Sequence, residues 1–337
     1  MLRLLLFPFS IIYDLITRVR NHLYNIGQKS SFRFEVPVIS VGNLNLGGSG
    51  KTPMTEYLIR TLSTSYKLAT LSRGYGRRTK GFRIANVDDN SSTIGDEPFQ
   101  MFRKFNDSII VTVGEDRAFA IPNILQEFDN IDAIILDDAF QHRSVNPHLS
   151  ILVTEYAHPF TRDYVLPAGN LREARKGASR ADVVVVTKCP GPDAELEMLT
   201  ADIRKYAGNK PIFFSSLKYN EPVSFGNLSS VTHKIVLVTG IAGPGIFKEY
   251  LKSRFELVRH LEFGDHHAFT ESEVNAIHSE VQQVPGASII TTEKDMIRLL
   301  PFSPISNYPW FYIPVEMEFL KNGSEFDLLI ARQLKRD

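Results

Sequence analysis

The residues Asn45-Leu46-Gly47-Gly48-Ser49-Gly50-Lys51-Thr52 form a glycine-rich run that ends on a lysine and a hydroxyl. Glycines let successive main-chain N–H groups turn toward phosphate oxygens. A lysine at the end of such a run reaches the β- and γ-phosphates, and the hydroxyl after it suits Mg²⁺. The run therefore reads as a nucleotide site, with Asn45 to Thr52 as phosphate contacts, Lys51 also catalytic and Thr52 also on the metal. The usual pattern has glycine where Asn45 stands. Asparagine tolerates left-handed backbone better than most residues, so the loop is expected to survive the change.

Further residues able to take part in phosphoryl chemistry follow in order. Ser72-Arg73-Gly74-Tyr75-Gly76-Arg77-Arg78 is a flexible cationic loop, or a solvated basic turn. Asp96 and Glu97, between Gly95 and Pro98, either carry chemistry or favour a helix N-terminus. Arg117 is a weakly signalled phosphate contact. Asp137 and Asp138 close a largely apolar run from Ile131, the arrangement that places a carboxylate on Mg²⁺ directly or through water. Arg172, Glu173, Arg175 and Lys176 form a charged loop. Asp265-His266-His267 suggests a metal site but has no third ligand at recognisable spacing, and a turn role is equally ordinary.

These groups need a scaffold. Apolar, β-branched runs at 38–41, 68–71, 109–113, 131–136, 151–154 and 183–187 read as strands, and 54–62 reads as a helix. The alternation predicts an α/β fold: a P-loop NTPase-type parallel sheet flanked by helices. Residues 221–230 are polar and punctuated by Gly and Pro, a linker. Strands at 235–239, 288–292 and 310–315 then predict a smaller second α/β domain. Gly240 to Gly245 lacks Lys-Thr and reads as a tight strand–helix connection. The expected division is 1–30, 31–220 and 221–337. Thr187-Lys188-Cys189-Pro190 lacks the Asn and terminal Asp of the guanine-reading motif, so guanine selectivity is unsupported.

The first thirty residues place Phe9, Ile12, Tyr13, Ile16, Val19 and Leu23 at helical spacing, flanked by Arg3, Arg18 and Arg20. An amphipathic helix on an anionic membrane surface is the reading; an ordinary packed helix and a cleaved signal are the alternatives. The apolar run is too short to span a bilayer. Lys+Arg and Asp+Glu both count 38 in 337 residues, so no global field favours nucleic acid, and none is expected as a partner. One cysteine, Cys189, excludes an internal disulfide framework and fits a reducing compartment.

The series Gly42-Asn43-Leu44, Gly47 to Pro53, Ser72 to Gly76, Gly95 to Pro98, Asp137 to His142, Leu166 to Glu173 and Thr291 to Asp295 resembles the tetraacyldisaccharide 4'-kinase family of Gram-negative bacteria. Ala139 and Asn170 depart from the family's common Gly and Pro without removing a functional group. The resemblance implies ATP- and Mg²⁺-dependent phosphorylation of the 4'-hydroxyl of an acylated glucosamine disaccharide 1-phosphate, giving a lipid IVA-type product. It implies a peripheral enzyme on the cytoplasmic face of the inner membrane. It also implies that Arg172 meets phosphate, that Glu173 assists Mg²⁺, and that His266 works with Asp96 as base across an interdomain cleft that closes on ATP. A membrane-associated nucleotide switch or assembly ATPase, or a soluble metabolite kinase, remain the other readings.

Overall fold

The computed structural model describes residues 2–191 and 195–334. Its strands are β1 (Val38–Asn43), β2 (Leu68–Ser72), β3 (Arg83–Ile84), β4 (Ile109–Val113), β5 (Ala133–Leu136), β6 (Leu149–Glu155), β7 (Val183–Thr187), β8 (Ile212–Tyr219), β9 (Val223–Ser224), β10 (Lys234–Thr239), β11 (Glu256–Glu262), β12 (Ser288–Thr292), β13 (Trp310–Ile313) and β14 (Val315–Phe319). The α-helices are α1 (Leu2–Asn25), α2 (Lys51–Leu62), α3 (Ser91–Ile94), α4 (Asp96–Phe105), α5 (Arg117–Glu127), α6 (Leu196–Ala207), α7 (Gly245–Arg254), α8 (Glu271–Gln282), α9 (Glu293–Leu299) and α10 (Gly323–Leu334).

Among the described residues, nine strands form one sheet in the order β14-β8-β7-β6-β1-β5-β2-β4-β3. Every pair from β8 to β4 is parallel; β14 and β3 add antiparallel edges. A parallel strand covered by helices on both faces reads as a continuous apolar run. That is why Val38, Ile39 and Val41 are wholly buried in β1. The parallel strands end on one edge of the sheet, where ligands bind in open α/β folds. Helix α2 turns Met54, Leu58, Ile59 and Leu62 onto β1 and β5, at the three- and four-residue spacing of one helix face.

A second, five-stranded sheet has the order β11-β10-β12-β13-β9, parallel except for β9. The α/β class with a smaller second unit is as expected, but the boundary is not. The run 310–315 splits at Pro314, which has no N–H for a ladder. β13 stays in the second sheet, whereas β14 crosses back and pairs with β8, Val315 opposite Tyr219. Phe326, Ile330 and Leu334 of α10 then bury against the core that holds Met54 and Leu58. Val315–Leu334 therefore belongs to the first unit, not to the 221–337 unit expected. The expected linker is partly structured as well, since β9 pairs with β13.

The two units meet where α4 faces α9. Ile94, Phe99 and Val113 pack on Met296 and Ile297 in one buried cluster. Beside it, Lys104 Nζ reaches Glu56 Oε2 at 2.8 Å and Glu293 Oε1 at 3.0 Å. Helix α1 packs the other way round from an ordinary amphipathic helix. Ser10 is buried and Tyr13, Asp14, Thr17 and Asn21 are half-buried, while Leu5, Phe9, Ile12, Leu15 and Ile16 are each about 60% exposed or more. Its polar stripe faces the protein and its apolar stripe faces outward.

Candidate active site

Strand β1 runs straight into the glycine loop, and Lys51 is the first residue of α2. Gly50 caps that helix at φ 86°, and a Cβ there would stand 3.0 Å from Thr187 Oγ1. A left-handed backbone with no room for a side chain admits only glycine without strain. Asn43 spans the loop: its Nδ2 donates to the Asn45 carbonyl at 2.6 Å and to Ser49 Oγ at 2.7 Å. Asn45 does not use the left-handed region after all; Gly47 does, at φ 97°. Asn45 instead bridges to Leu171 and donates from Nδ2 to Asp163 Oδ2 at 3.2 Å. The Leu166–Glu173 segment is thus a wall of the phosphate loop, with Leu46 N donating to the Asn170 carbonyl and Arg172 N to the Leu44 carbonyl.

Strand β5, in register with β1 (Ser40 opposite Leu136), carries Asp137 and Asp138 to the same edge. Gly42 permits the approach: a Cβ on it would lie 2.7 Å from Phe140 Cβ. Asp137 is buried and accepts from Thr55 Oγ1 at 3.0 Å. Burial, with help from the neighbouring Asp138 and Glu97, pushes its carboxyl up to about 6. Asp138, at φ 48°, accepts from Arg172 Nη1 at 2.8 Å and Nη2 at 3.0 Å, with Lys51 Nζ 3.9 Å away. Burial opposes its ionisation, but Lys51 and Arg172 outweigh that and hold its pKa below the usual carboxylate range. The ammonium of Lys51 is shifted down by burial, with Asp138 opposing the shift.

Two expected contacts sit differently. Arg117 is buried, and its Nη1 donates to the carbonyls of Gly114 and Glu115 at 3.0 and 3.1 Å. Burial lowers its pKa to about 10 while Asp137 and Asp138 pull it up, so it bears on the site through its field. Glu173 is buried, and its oxygens accept from Arg180 at 2.7 and 2.8 Å, Asn21 at 2.7 Å and Gln141 at 3.2 Å. With a paired cation and four donors on it, it has no need of a metal.

Asp96 begins α4 and His266 lies between β11 and α8, yet His266 Nδ1 is 3.6 Å from Asp96 Oδ2. His266 holds φ 56°, and Tyr75 meets its ring edge-on with centroids 5.4 Å apart. The cationic loop that carries Tyr75 therefore borders the same cleft. Glu97 donates its charge to the site as well, acting on both Lys51 and Asp137 while pairing with Lys294 at 2.7 Å. Sequence reasoning left Glu97 between chemistry and a helix start, met Lys294 only inside the Thr291 to Asp295 motif without giving it a role, and passed over Arg298. The only signal was the four-residue spacing that puts Lys294 and Arg298 on one face of α9. Cys189 is buried and its thiol is pushed up to about 11 by burial, so it is packing rather than a nucleophile.

A glycine cradle between a central strand and a helix, with a Lys-Thr pair and a carboxylate on the neighbouring strand tip, defines a P-loop phosphotransferase. The family model for tetraacyldisaccharide-1-P 4'-kinase matches residues 2–335. The chain belongs to that family. It is 42% identical to the tetraacyldisaccharide 4'-kinase of Flavobacterium johnsoniae, across 100% of this chain and 98% of that one. It is 41% identical to that of Bacteroides thetaiotaomicron, across 95% and 90%. Among solved structures it is similar to LpxK from Aquifex aeolicus in complex with ATP, at 30% identity and TM-score 0.78, covering 99% of this chain and 100% of that one.

Proposed function

We propose that this kinase transfers the γ-phosphoryl group of ATP to the 4'-hydroxyl of tetraacyldisaccharide 1-phosphate, forming lipid IVA. The observation that carries the reading is the position of α4, whose first two residues face both halves of the chemistry. Glu97 acts on Lys51 and Asp137, and Asp96 faces His266. An acceptor hydroxyl beside Asp96 then lies at the edge of the phosphate cradle.

Phosphoryl transfer is loose, so the protein mainly positions and neutralises. The amides of Gly47, Gly48 and Gly50 and the Lys51 ammonium hold the triphosphate, those of Leu46 and Ser49 being spent on the Asn170 and Gly47 carbonyls, and Arg172 steadies Asp138 beside Lys51. Asp96 takes the hydroxyl proton; His266 and Tyr75 shape the acceptor side. General-base assistance of this kind is worth ~10²–10⁴ in rate. Among the described residues no three His, Cys, Asp or Glu side chains gather as a metal site. That suits Mg²⁺, which takes one or two protein oxygens and completes its shell with water and phosphate. Thr52 and Asp137 would hold it, since Asp138 is already neutralised and Glu173 is occupied. Bound there, Mg²⁺ offsets charge on the phosphates.

The outward apolar stripe of α1 supports a peripheral seat on the inner membrane's cytoplasmic face, where an acylated acceptor resides. Among the described residues no helix is long and apolar enough to cross a membrane. Incubation with labelled ATP and the acylated disaccharide tests the activity. A phosphorylated lipid is expected, and Asp96→Ala and His266→Ala should slow its appearance. Label released only as inorganic phosphate would point to an ATPase.

A further inference from the structure

The carboxylate assigned as the base has a close partner from the other unit. Arg298 Nη2 lies 2.6 Å from Asp96 Oδ2 and its Nε lies 2.7 Å from the same oxygen. We infer that Arg298 is the positioning residue for Asp96, fixing the carboxylate from across the junction of the two units and leaving Oδ1 to face the acceptor. The inference rests on the assignment of Asp96 as base.

Arg298 is itself held from three directions. Its side chain is 6% exposed. Its Nη1 donates to the Gly240 carbonyl and to Asp295 Oδ1, each at 3.0 Å. Asp295 is wholly buried and is fixed by Gly240 N at 2.9 Å and Thr292 Oγ1 at 2.8 Å. The turn after β10 therefore has a use its sequence did not reveal. Gly240 approaches so closely that a Cβ would sit 3.0 Å from Asp295 Oδ1. A planar guanidinium with a fixed fork can serve Asp96, Asp295 and Gly240 together; an ammonium cannot.

His266 makes the weaker claim on Asp96, since 3.6 Å is beyond a hydrogen bond. Its two ring nitrogens face other donors: Arg298 Nη2 at 3.2 Å from Nδ1 and Lys294 Nζ at 3.2 Å from Nε2. A neutral imidazole accepts at one nitrogen only, so these two cations compete for it. The short, doubled contact to Asp96 is the arginine's. Burial works against the charge on Asp96, and His266, Arg298 and Lys294 together outweigh it and hold the carboxyl below the usual carboxylate range, as a base requires.

Steady-state kinetics of Arg298→Ala, Asp96→Asn and the double variant, with ATP and tetraacyldisaccharide 1-phosphate, test this. Arg298→Ala is expected to lower kcat roughly 10²-fold with the KM for ATP within about twofold, because the partners of Arg298, namely Asp96, Gly240, Asp295 and His266, lie outside the Asn45 to Thr52 loop. On the Asp96→Asn background it should cost less than about threefold more, since a residue acting through Asp96 has nothing left to position. Arg298→Lys, which keeps the charge and loses the fork, should fall between wild type and Arg298→Ala, and it serves should the alanine variant not fold. Losses that multiply, or an Arg298 variant at wild-type kcat beside an impaired Asp96→Asn, overturn the inference alone. Near-normal turnover by Asp96→Asn overturns the base assignment and the inference with it.

Discussion

Tyr13, on the N-terminal helix, donates its phenol to the main-chain carbonyl of Arg172 at 3.2 Å. Arg172 in turn grips Asp138 beside Lys51, so the N-terminal helix is three contacts from the Lys51 ammonium. Asn21 on Glu173 and Arg20 on the Gln141 carbonyl repeat the link. Tyr13→Phe should therefore lower kcat by roughly two- to tenfold, as expected for the loss of one hydrogen bond of about 1 kcal/mol. Turnover measured with detergent-dispersed acceptor checks it, since membrane partition is then removed from the comparison.

The exposed stripe on α1 gives a second expectation. Ile12→Asp combined with Ile16→Asp should cut co-sedimentation with anionic phospholipid vesicles at least tenfold. Each change removes a branched side chain worth about 1.5–3 kcal/mol when buried in the bilayer interface. ATP binding should be unchanged, because both side chains point away from the fold. Equal binding by the wild type and the double variant would count against the membrane seat.

Asp137 and Asp138 are neighbours in sequence with different duties. Asp137→Asn should raise the Mg²⁺ concentration needed for half-maximal activity and lower kcat by roughly 10²–10³, in the range seen when one electrostatic group leaves a transition state. Asp138→Asn should leave the Mg²⁺ requirement nearer wild type while weakening ATP binding, because it frees Arg172 and Lys51 from their shared anchor. Mg²⁺ titrations at saturating ATP separate the two.

A pH dependence follows from the core of the second unit. His278 is buried, accepts from Trp310 Nε1 at 2.9 Å, and stacks on Tyr308 with centroids 3.5 Å apart. Burial lowers its pKa to about 4. The unfolded chain, with an ordinary histidine near 6.5, then binds the proton first. Stability supplied by the neutral ring is present above about pH 6.5 and is lost as pH falls toward 4, by up to about 3 kcal/mol. His278→Gln should flatten the fall in Tm over that interval relative to wild type, as followed by circular dichroism.

The phosphate cradle was legible because its chemistry is contiguous: one strand, one loop and one helix start carry every group from Asn45 to Thr52. Asp137 was legible for the same reason, as the tip of an apolar strand. Glu173 was not, because its fate depends on Arg180 and Asn21, which only the fold brings to it. Arg298 was invisible because its role exists only where α9 meets α4, 202 residues apart in sequence. Polarity hid β11, whose alternation is blurred by Glu256, Arg259 and Glu262 at a sheet edge. The return of β14 to the first sheet was hidden because nothing local marks which of two sheets a strand joins.

That return also bears on how the protein is made. Domains tend to fold as units while the chain is still being synthesised, the N-terminal one first. Here the nucleotide-binding half, synthesised ahead of the second unit, keeps an open apolar flank beside Met54 and Leu58 until Phe326 and Ile330 leave the ribosome. A nascent chain stalled before Val315 would have its entire phosphate loop and still lack one wall of the core beneath it.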